Sequence, residues 1–369
     1  YTVPIPKLHD CRTKAITTED FRGIAISPIL SKVFEHCVIH RFENFFITTE
    51  NQFGFKKGLS CNHAIFTVRS IVDRFVKNCS TINLCALDLS KAYDKVNHHA
   101  LLIKLMKRQL PVALLETLTN MLTNCWTCVQ WKSARSSVFK IGFGVRQGSV
   151  LSPLLFAVYL NDTVVHLGLR QHLFIVLYAD DILLLAPSVT ELQRLLTASE
   201  QELNWLDMSI NAKKSCCLRI GPRFDHKCAG ITTSSGYILP WVNEIRYLGV
   251  FITSSNKFKC SLNHAKRSYY RSVNAIFSKV GRSASEEVVL QLVSSKCIPV
   301  LLYGLEACPL NKSDIHSLDF AVNRFLMKLF CTTNIEVINE CRHFFKFKLP
   351  SEILPIRTNN FVTKYHFSQ

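Results

Sequence analysis

Residues 173–185 read LFIVLYADDILLL, which is two apolar runs of strand-forming residues separated by an adjacent pair of acids. The pattern predicts a strand, a turn and a second strand, with the turn at Ala179, Asp180 and Asp181. Successive side chains of a strand point to opposite faces, so two consecutive acids inside a buried strand would be costly. A tight hairpin turn instead presents both carboxylates to solvent or to a cation.

A third acid, Asp88, lies near the end of another apolar segment, because residues 81–89 read TINLCALDL. Three carboxylates at the ends of adjacent strands form a site for hard divalent cations such as Mg²⁺. The alternative is an ordinary polar turn at the Asp-Asp pair, with Asp88 capping the segment that follows it. We favour the metal site because both patterns occur together in one strongly basic chain.

The 369 residues include 44 Lys and Arg against 27 Asp and Glu, which gives a formal net charge of +17. This surplus predicts a polyanionic partner, either nucleic acid or an acidic membrane surface. A hydrophobic content of 48% excludes a disordered chain. The 15 scattered cysteines indicate reduced thiols in an intracellular compartment, and Cys125 and Cys128 form a buried or incidental pair. The sequence starts at Tyr1 and shows no signal peptide and no membrane span, so we expect a soluble fragment of a longer polypeptide or a gene model that lost its start.

Helical and strand-like segments alternate irregularly along the chain. Helices are predicted at residues 29–46, 62–76, 98–109 and 151–160, from Ser188 and, for the most part, beyond Leu262. The apolar positions of the first helix are Leu30, Val33, Phe34, Cys37, Val38 and Phe42. Strands are predicted at residues 21–27, 81–89 and 245–252, with a hairpin over residues 127–145. The irregular order favours an α+β fold with an antiparallel sheet, and the absence of a linker predicts interleaved or tightly packed domains.

Three blocks of the chain resemble motifs A, B and C of reverse transcriptases: residues 87–98 (LDLSKAYDKVNH), 145–153 (VRQGSVLSP) and 178–181 (YADD). Weaker blocks resemble the early fingers motifs (residues 21–27 and 30–35), motif D (residues 211–215) and motif E (residues 246–250). Their order and context are similar to those of non-LTR, LINE-type retrotransposons of the jockey/CR1-like kind, over roughly residues 15–330.

The resemblance implies a right-hand polymerase fold. Its parts would be fingers at 1–80, palm at 81–108, a second fingers segment at 109–144, palm at 145–253, and a helical thumb with a C-terminal extension at 254–369. The implied enzyme is an RNA-directed DNA polymerase that extends a primer 3′-hydroxyl with deoxynucleotides, using two Mg²⁺ ions or Mn²⁺ in their place. Its partners would be an RNA template, a DNA primer or nicked target DNA, and dNTPs, with no membrane and an unassigned oligomeric state. Its location would be the nucleus and a cytoplasmic ribonucleoprotein.

The resemblance also implies residue roles. Asp88, Asp180 and Asp181 would be the metal ligands and catalytic acids. Lys214 would be the general acid for pyrophosphate, chosen over its neighbour Lys213 on the Asn-x-x-Lys spacing, although a helix-end lysine pair is an alternative. The substrate-binding residues would be Arg22, Leu89, Tyr93, Gln147 and Gly148, and the primer grip Tyr247, Leu248 and Gly249.

Within the substrate set, Arg22 would meet the triphosphate and the backbone at Leu89 would run beside it. Tyr93 would exclude a 2′-hydroxyl, while Gln147 and Gly148 would pack on the nucleotide. Each assignment has a plainer alternative: a solvated surface arginine, a core tyrosine, an ordinary turn before a helix and, for the primer grip, a strand with a bend at Gly249.

Basic and aromatic residues after Leu262 suit a thumb that holds a template–primer duplex: Lys266, Arg267, Tyr269, Tyr270, Arg271, Lys279 and Arg282. A catalytically inactive retroelement remnant that acts as a basic nucleic-acid-binding protein is the alternative function. The short connection between motifs B and C favours it, and the retained acids argue against it. An intron-maturase-like RNA-binding protein is a third reading, although no maturase-type segment is evident after the thumb.

Overall fold

The computed structural model describes residues 1–7, 17–165, 172–280 and 283–367. Its strands are β1 (Thr2–Pro6), β2 (Phe21–Ala25), β3 (Ile82–Leu87), β4 (Trp126–Thr127), β5 (Gln130–Trp131), β6 (Ala134–Arg135), β7 (Phe139–Lys140), β8 (Phe174–Tyr178), β9 (Asp181–Ala186), β10 (Cys216–Ile220), β11 (Ile231–Thr232), β12 (Ile238–Leu239), β13 (Glu244–Tyr247) and β14 (Val250–Thr253).

The α-helices are α1 (Ile29–Arg41), α2 (Cys61–Lys77), α3 (His98–Lys107), α4 (Val112–Thr123), α5 (Ser152–Val165), α6 (Val189–Trp205), α7 (Asn263–Val280), α8 (Glu286–Leu292), α9 (Ile298–Leu301), α10 (Lys312–Leu329), α11 (Ile335–Phe344) and α12 (Pro350–Phe367). Short 3₁₀ helices lie at Thr18–Asp20, Glu43–Phe46 and Ala92–Lys95, and a π-helical turn at Val293–Cys297 joins α8 to α9. No described helix has the length and apolar character that crossing a membrane requires.

Four strands form one sheet in the order β10–β3–β9–β8, whereas the other described sheets have two strands each. The predicted hairpin is present, because β8 and β9 pair antiparallel with Tyr178 opposite Asp181. Five of the six residues of β9 are buried, as are five of the six in β3, which explains why both segments are almost purely apolar in the sequence. The mixture of helices with antiparallel strand pairs confirms the predicted α+β class.

The chain folds into two compact units that are interleaved in sequence, as the absence of a linker predicts. The first unit contains Tyr1–Lys57, Cys85–Ser215 and Gly230–Leu239. The second contains Gly58–Leu84, Cys216–Ala229 and Pro240–Gln369. In the second unit, the helices from α7 onward close around a common apolar core that includes Tyr269, Leu301 and Phe325. The finer division into fingers, palm and thumb stays a prediction.

Local sequence signals account for several helix starts and faces. The Asn97 side chain accepts hydrogen bonds from the His99 and Ala100 N–H groups and so caps α3. Ser188 caps α6 in the same way by accepting from the Glu191 N–H. The predicted apolar face of α6 is confirmed, because the leucines that carry its period are all buried: Leu192, Leu195, Leu196, Leu203 and Leu206.

Other sequence predictions are wrong. The buried residues of α1 are Glu35 and Val38, whereas Leu30 and Val33 of its apolar stripe are exposed. Residues 245–252 do not form one strand, since they turn within the β13–β14 hairpin. By contrast, the hairpin predicted over residues 127–145 is present in an interrupted form, because β4 pairs with β7 and, nested inside them, β5 pairs with β6, all antiparallel. Cys125 and Cys128 are half-buried free thiols, which leaves the incidental pair of the two predicted alternatives. Helix α4 and strand β10 lie where the sequence analysis predicts no element.

Candidate active site

Asp180 lies at a two-residue turn between β8 and β9, which we call the motif C turn (residues 178–181). Ala179 has a φ of 56° there, in the left-handed region that costs a non-glycine residue about 1–2 kcal/mol. The tight turn exposes both Asp180 and Asp181 at the end of a buried hairpin. The sequence prediction for this turn is therefore confirmed in position, with Asp181 as the first residue of β9.

Asp88 directly follows β3 and is braced by the segment that contains motif D. Its N–H donates to Ser215 Oγ (3.1 Å), and its carbonyl oxygen accepts from the Asn211 N–H (2.7 Å). The Ser90 N–H donates to the Ser209 carbonyl (3.0 Å), so the two backbone bonds flank Leu89. These bonds fix the backbone of Leu89 next to Asp88. The resemblance predicts that the triphosphate binds along this backbone.

Three of the predicted site residues act on one another electrostatically. Although Asp180 is partly exposed, the surrounding protein limits its hydration, and this desolvation is the main cause of its raised pKa. The negative charge of Asp88 raises the pKa of Asp180 further, while the positive charge of Arg22 lowers it. The fold thus brings Asp88, Asp180 and the β2 residue Arg22 into one electrostatic neighbourhood from distant parts of the sequence.

Lys214 lies beside the same acid. Its Nζ atom is 3.8 Å from Asp88 Oδ2, and both side chains are substantially exposed, at 69% and 40%. An exposed ion pair contributes about 0–1 kcal/mol to stability. Its significance is that it brings the Lys214 ammonium next to the Asp88 carboxylate. The ion pair places Lys214 at the candidate site, and its role as a general acid stays a prediction.

The carboxylates have the chemistry that a divalent cation requires, although they do not form a complete cage. Among the described residues, no three His, Cys, Asp or Glu side chains gather into a ready-made metal site. Mg²⁺ in phosphoryl-transfer sites is bound by one or two carboxylates together with substrate phosphates. Asp88 and Asp180 fit that requirement, because a cation would neutralise the repulsion that raises the pKa of Asp180.

Tyr93 lies on the 3₁₀ helix that follows Asp88. Its ring stacks on the buried Phe156 ring, with centroids 4.4 Å apart and an interplanar angle of 13°. Burial raises the pKa of Tyr93, and the charge of Asp180 raises it further, so the phenol lies near the motif C turn. The Tyr93 carbonyl accepts from the Val145 N–H (2.8 Å), which attaches motif A to the start of motif B.

Gln147 and Gly148 lie in the loop before α5, which we call the motif B loop (residues 146–151). Gln147 Nε2 is 3.5 Å from Asp94 Oδ1, and the Gln147 carbonyl accepts from the Ala25 N–H (2.7 Å). Gly148 has a φ of 119°, and a Cβ atom there would collide with the Ala25 carbonyl oxygen. The close backbone approach that the sequence analysis expected toward a nucleotide is, in this structure, an approach to strand β2.

The residues predicted for the primer grip belong to the second unit. Leu248 and Gly249 form the two-residue turn between β13 and β14, and both have positive φ values, 46° and 89°. A Cβ atom on Gly249 would lie 2.6 Å from the Tyr303 ring, so only glycine fits without displacing that ring. Tyr247 is buried at 3% exposure and ends β13.

The sequence analysis missed two buried polar residues that support these loops. Gln52 is fully buried, and its Oε1 accepts from the Gly54 N–H (2.9 Å) and from the Ala179 N–H (3.1 Å) of the motif C turn. Glu35 of α1 accepts hydrogen bonds from the motif B loop. No hydrophobic pattern signals the bond from Gln52 to Ala179 or the bond from Glu35 to Ser149, because these residues are 127 and 114 positions apart. Glu35 does lie in the block at residues 30–35 that resembles a fingers motif, but the sequence analysis gave it no role.

Comparison with known proteins agrees with this geometry. The family model described as "Reverse transcriptase (RNA-dependent DNA polymerase)" matches residues 5–252. The chain belongs to the reverse transcriptase family. Membership confirms the resemblance found in motifs A, B and C, and with it the right-hand polymerase fold of the family.

Curated relatives include enzymes of the jockey kind. The chain is 28% identical over 315 residues to the RNA-directed DNA polymerase from mobile element jockey of Drosophila funebris, covering 79% of this chain and 33% of that protein. It is 25% identical over 308 residues to the probable RNA-directed DNA polymerase from transposon BS of Drosophila melanogaster, covering 78% of this chain and 33% of that protein. The chain therefore spans about a third of the length of these relatives.

Solved structures with a similar backbone include two telomerases. The telomerase from Candida albicans, in complex with a fragment of telomeric RNA, is 12% identical with a TM-score of 0.48, covering 86% of this chain and 56% of that chain. The apo telomerase from Candida tropicalis is 14% identical with a TM-score of 0.44, covering 75% of this chain and 47% of that chain.

Proposed function

We propose that this chain is the catalytic core of an RNA-directed DNA polymerase from a non-LTR retrotransposon, and that it extends a primer 3′-hydroxyl with deoxynucleotides on an RNA template. The observation that carries the proposal is the position of Asp88 and Asp180 at the ends of neighbouring apolar strands of one sheet, with Lys214 Nζ 3.8 Å from Asp88 Oδ2 and the charge of Arg22 acting on Asp180. Two repelling acids beside an arginine suit a reaction in which a cation and a triphosphate meet.

Asp88 and Asp180 would hold two Mg²⁺ ions, or Mn²⁺ in their place, together with oxygens of the triphosphate, and Asp181 would complete the acidic set. When bound, the ions would activate the primer hydroxyl and neutralise the charge that develops on the leaving pyrophosphate. The Asp88 backbone makes hydrogen bonds with the Asn211 N–H and with Ser215 Oγ. These bonds would fix the position of Asp88 before the substrate binds.

Three other side chains would bind the nucleotide or transfer a proton. The planar guanidinium of Arg22 would bind phosphate oxygens of the incoming nucleotide. Lys214, already at Asp88, would give a proton to the departing pyrophosphate. Tyr93, held flat against Phe156, would occupy the space of a ribose 2′-hydroxyl and so favour deoxynucleotides.

The nucleic-acid partners follow from the charge of the chain. The basic helix α7 contains Lys266, Arg267, Arg271 and Lys279, and would track the phosphates of the template–primer duplex. Arg282, named with them in the sequence, lies outside the described residues. The β13–β14 turn would support the primer end. Such an enzyme would meet its RNA in a cytoplasmic ribonucleoprotein and its target DNA in the nucleus.

The test is primer extension on poly(rA)–oligo(dT) with Mg²⁺ and dTTP. We compare the parent with the double substitution Asp180→Ala, Asp181→Ala, and measure duplex binding in parallel. The matched control is Glu286→Ala, Glu287→Ala, which removes two adjacent exposed acids from the start of α8. We expect extension by the parent and the control, none by the Asp180/Asp181 variant, and equal duplex binding by all three.

Duplex binding without extension by the parent would overturn the proposal. That outcome would leave the inactive, basic nucleic-acid-binding remnant as the function of this chain. Extension that survives the loss of Asp180 and Asp181 would place the metal site elsewhere.

A further inference from the structure

Glu35 is a fully buried carboxylate, with 0% of its side chain exposed. Removing an ionised carboxylate from water costs several kcal/mol unless the protein supplies partners. Charged residues are therefore almost never fully buried without them, and the partners show what the residue holds in place.

The partners of Glu35 all come from the motif B loop or from its own helix. Oε2 accepts from Ser149 Oγ (2.6 Å), from the Val150 N–H (2.6 Å) and from the Leu151 N–H (3.0 Å). Oε1 accepts from Ser31 Oγ (3.4 Å) in α1 and is 3.5 Å from Arg146 Nη2. One carboxylate is thus bonded to the loop both before and after Gln147 and Gly148.

The position of these donors explains why a charge is stable there. Helix α5 begins at Ser152, so Val150 and Leu151 lie directly before its first turn, where N–H groups lack partners within the helix. The positive end of the helix dipole and the Arg146 guanidinium both favour an anion at this point. Glu35 therefore supplies from α1 the negative charge that the N-terminal end of α5 favours.

We propose that Glu35 is a positioning residue for the incoming deoxynucleotide, because its carboxylate holds the motif B loop in the conformation that presents the Gln147 side chain to the nucleotide. The inference rests on the proposed polymerase function. Glu35 itself is buried and touches no substrate, so its effect passes through the loop. A merely structural role would instead lower stability without changing how the nucleotide binds.

The chain offers a matched control for that distinction. Glu200 of α6 is also buried, at 7% exposure, and its carboxylate accepts from the Ser234 N–H (2.8 Å) and from Ser234 Oγ (3.2 Å). The chemistry resembles that of Glu35 with Ser149 and Val150, but within the described part of the chain Glu200 makes no hydrogen bond to motif A, B or C. Neutralising Glu200 therefore measures the general cost of losing a buried carboxylate.

The experiment compares Glu35→Gln with Glu200→Gln in primer extension, with duplex affinity and thermal unfolding measured on the same samples. For Glu35→Gln we expect the KM for dTTP to rise about tenfold, equivalent to about 1.4 kcal/mol, with unchanged duplex affinity. For Glu200→Gln we expect a lower unfolding temperature and an unchanged KM. An equal rise of KM in both variants, or a Glu35→Gln variant with an unchanged KM, would overturn the proposal.

Two further measurements protect the test. If Glu35→Gln fails to fold, Ser149→Ala replaces it, because this change removes the bond from Ser149 Oγ to the same carboxylate together with the bond that Ser149 Oγ accepts from the Ser152 N–H (3.3 Å). It should raise the KM for dTTP by about twofold to threefold. An unchanged KM in Ser149→Ala would then count against the inference. Hydrogen exchange at the Val150 and Leu151 amides needs no activity, and should become faster in Glu35→Gln but not in Glu200→Gln. Unchanged exchange overturns the inference, whereas faster exchange in a chain that cannot extend a primer overturns the polymerase function and leaves Glu35 as a support of the loop without a nucleotide to position.

Discussion

The motif C turn and the motif B loop are both held by a buried side chain from the first sixty residues, but the two side chains differ in charge. Gln52 holds the motif C turn through a neutral amide oxygen bonded to the Ala179 N–H. Glu35 holds the motif B loop through a carboxylate bonded to Ser149, Val150 and Leu151. Both contacts satisfy backbone N–H groups that would otherwise lie buried without a partner.

The difference follows from the charges around each loop. The motif C turn contains Asp180, whose pKa is already raised by burial and by Asp88, so another anion beside it would add repulsion. The motif B loop contains Arg146 and leads into a helix N-terminus, where an anion is stabilised. The comparison indicates that the charge of Gln52 and of Glu35 matches the charges around the loop that each one contacts.

The largest expected loss of stability is from Gln52→Met, which keeps the approximate size of the side chain but removes the acceptor. The Gly54 and Ala179 N–H groups would then be unpaired in the core, each at a cost of about 1–3 kcal/mol. Loss of the Gln52 Nε2 group, which is buried without a partner, offsets part of this. We expect the free energy of unfolding to fall by about 2–4 kcal/mol in urea titrations, and extension activity to fall with it.

The control for this change is Gln193→Met in α6. Gln193 exchanges two hydrogen bonds of 2.8 Å with the Thr232 backbone, but at an exposed site where water replaces them. We expect a loss below about 1 kcal/mol. Equal losses of unfolding free energy in the two variants would show that the burial of Gln52 adds nothing to the contribution of its hydrogen bonds, and would contradict its role as a support of the motif C turn.

The next expected effect is from Gly148→Ala in the motif B loop. The φ of 119° disfavours a side chain by about 1–3 kcal/mol, and the new methyl group would push against the Ala25 carbonyl. Because Glu35 fixes the loop on both sides, we expect the strain to appear as lower stability and as a raised KM for dTTP. Gly142→Ala, where nothing lies within 4 Å of the added atom, should behave as the parent in both assays.

The sequence predicts most of the parts that depend on local patterns. The apolar runs around Asp180 predict the hairpin, and Ser188 and Asn97 predict the starts of their helices, because these signals act over a few residues. Motif resemblance predicts which acids and which lysine belong to the site. It does so without geometry, yet Lys214 lies beside Asp88 as its spacing suggested.

The same reasoning fails where tertiary contacts override the local pattern. On α1 the apolar stripe predicts a buried face, but the helix turns Glu35 inward because the motif B loop supplies donors for it. Gln52 carries no periodic signal at all, since its partner Ala179 is 127 positions away. In both cases the deciding interaction is a long-range hydrogen bond, which hydrophobic periodicity does not encode.

The Tyr93 ring packs on Phe156 of α5, and Phe156→Leu tests that contact with a smaller effect. The leucine would leave space beneath the Tyr93 ring, so the ring would give way to a 2′-hydroxyl. We expect the ratio of kcat/KM for dTTP over UTP to fall by about fivefold, equivalent to about 1 kcal/mol. Phe320→Leu, the same change at a side chain with 61% exposure, should leave the ratio unchanged, and an unchanged ratio in Phe156→Leu would remove Phe156 from the discrimination.

The smallest effect on stability should come from Lys214→Gln. This variant tests whether a residue beside Asp88 affects catalysis while contributing little to the free energy of unfolding. The ion pair with Asp88 is exposed, so its loss should change the free energy of unfolding by less than about 1 kcal/mol. If Lys214 protonates the leaving pyrophosphate, kcat should nevertheless fall while the KM for dTTP changes little, because the proton is needed only in the transition state. Lys213→Gln, at the adjacent exposed lysine, is the matched control and should retain the parent kcat. Equal losses of kcat in the two variants would reduce Lys214 to a contributor of general positive charge, and the proton would have to come from another donor.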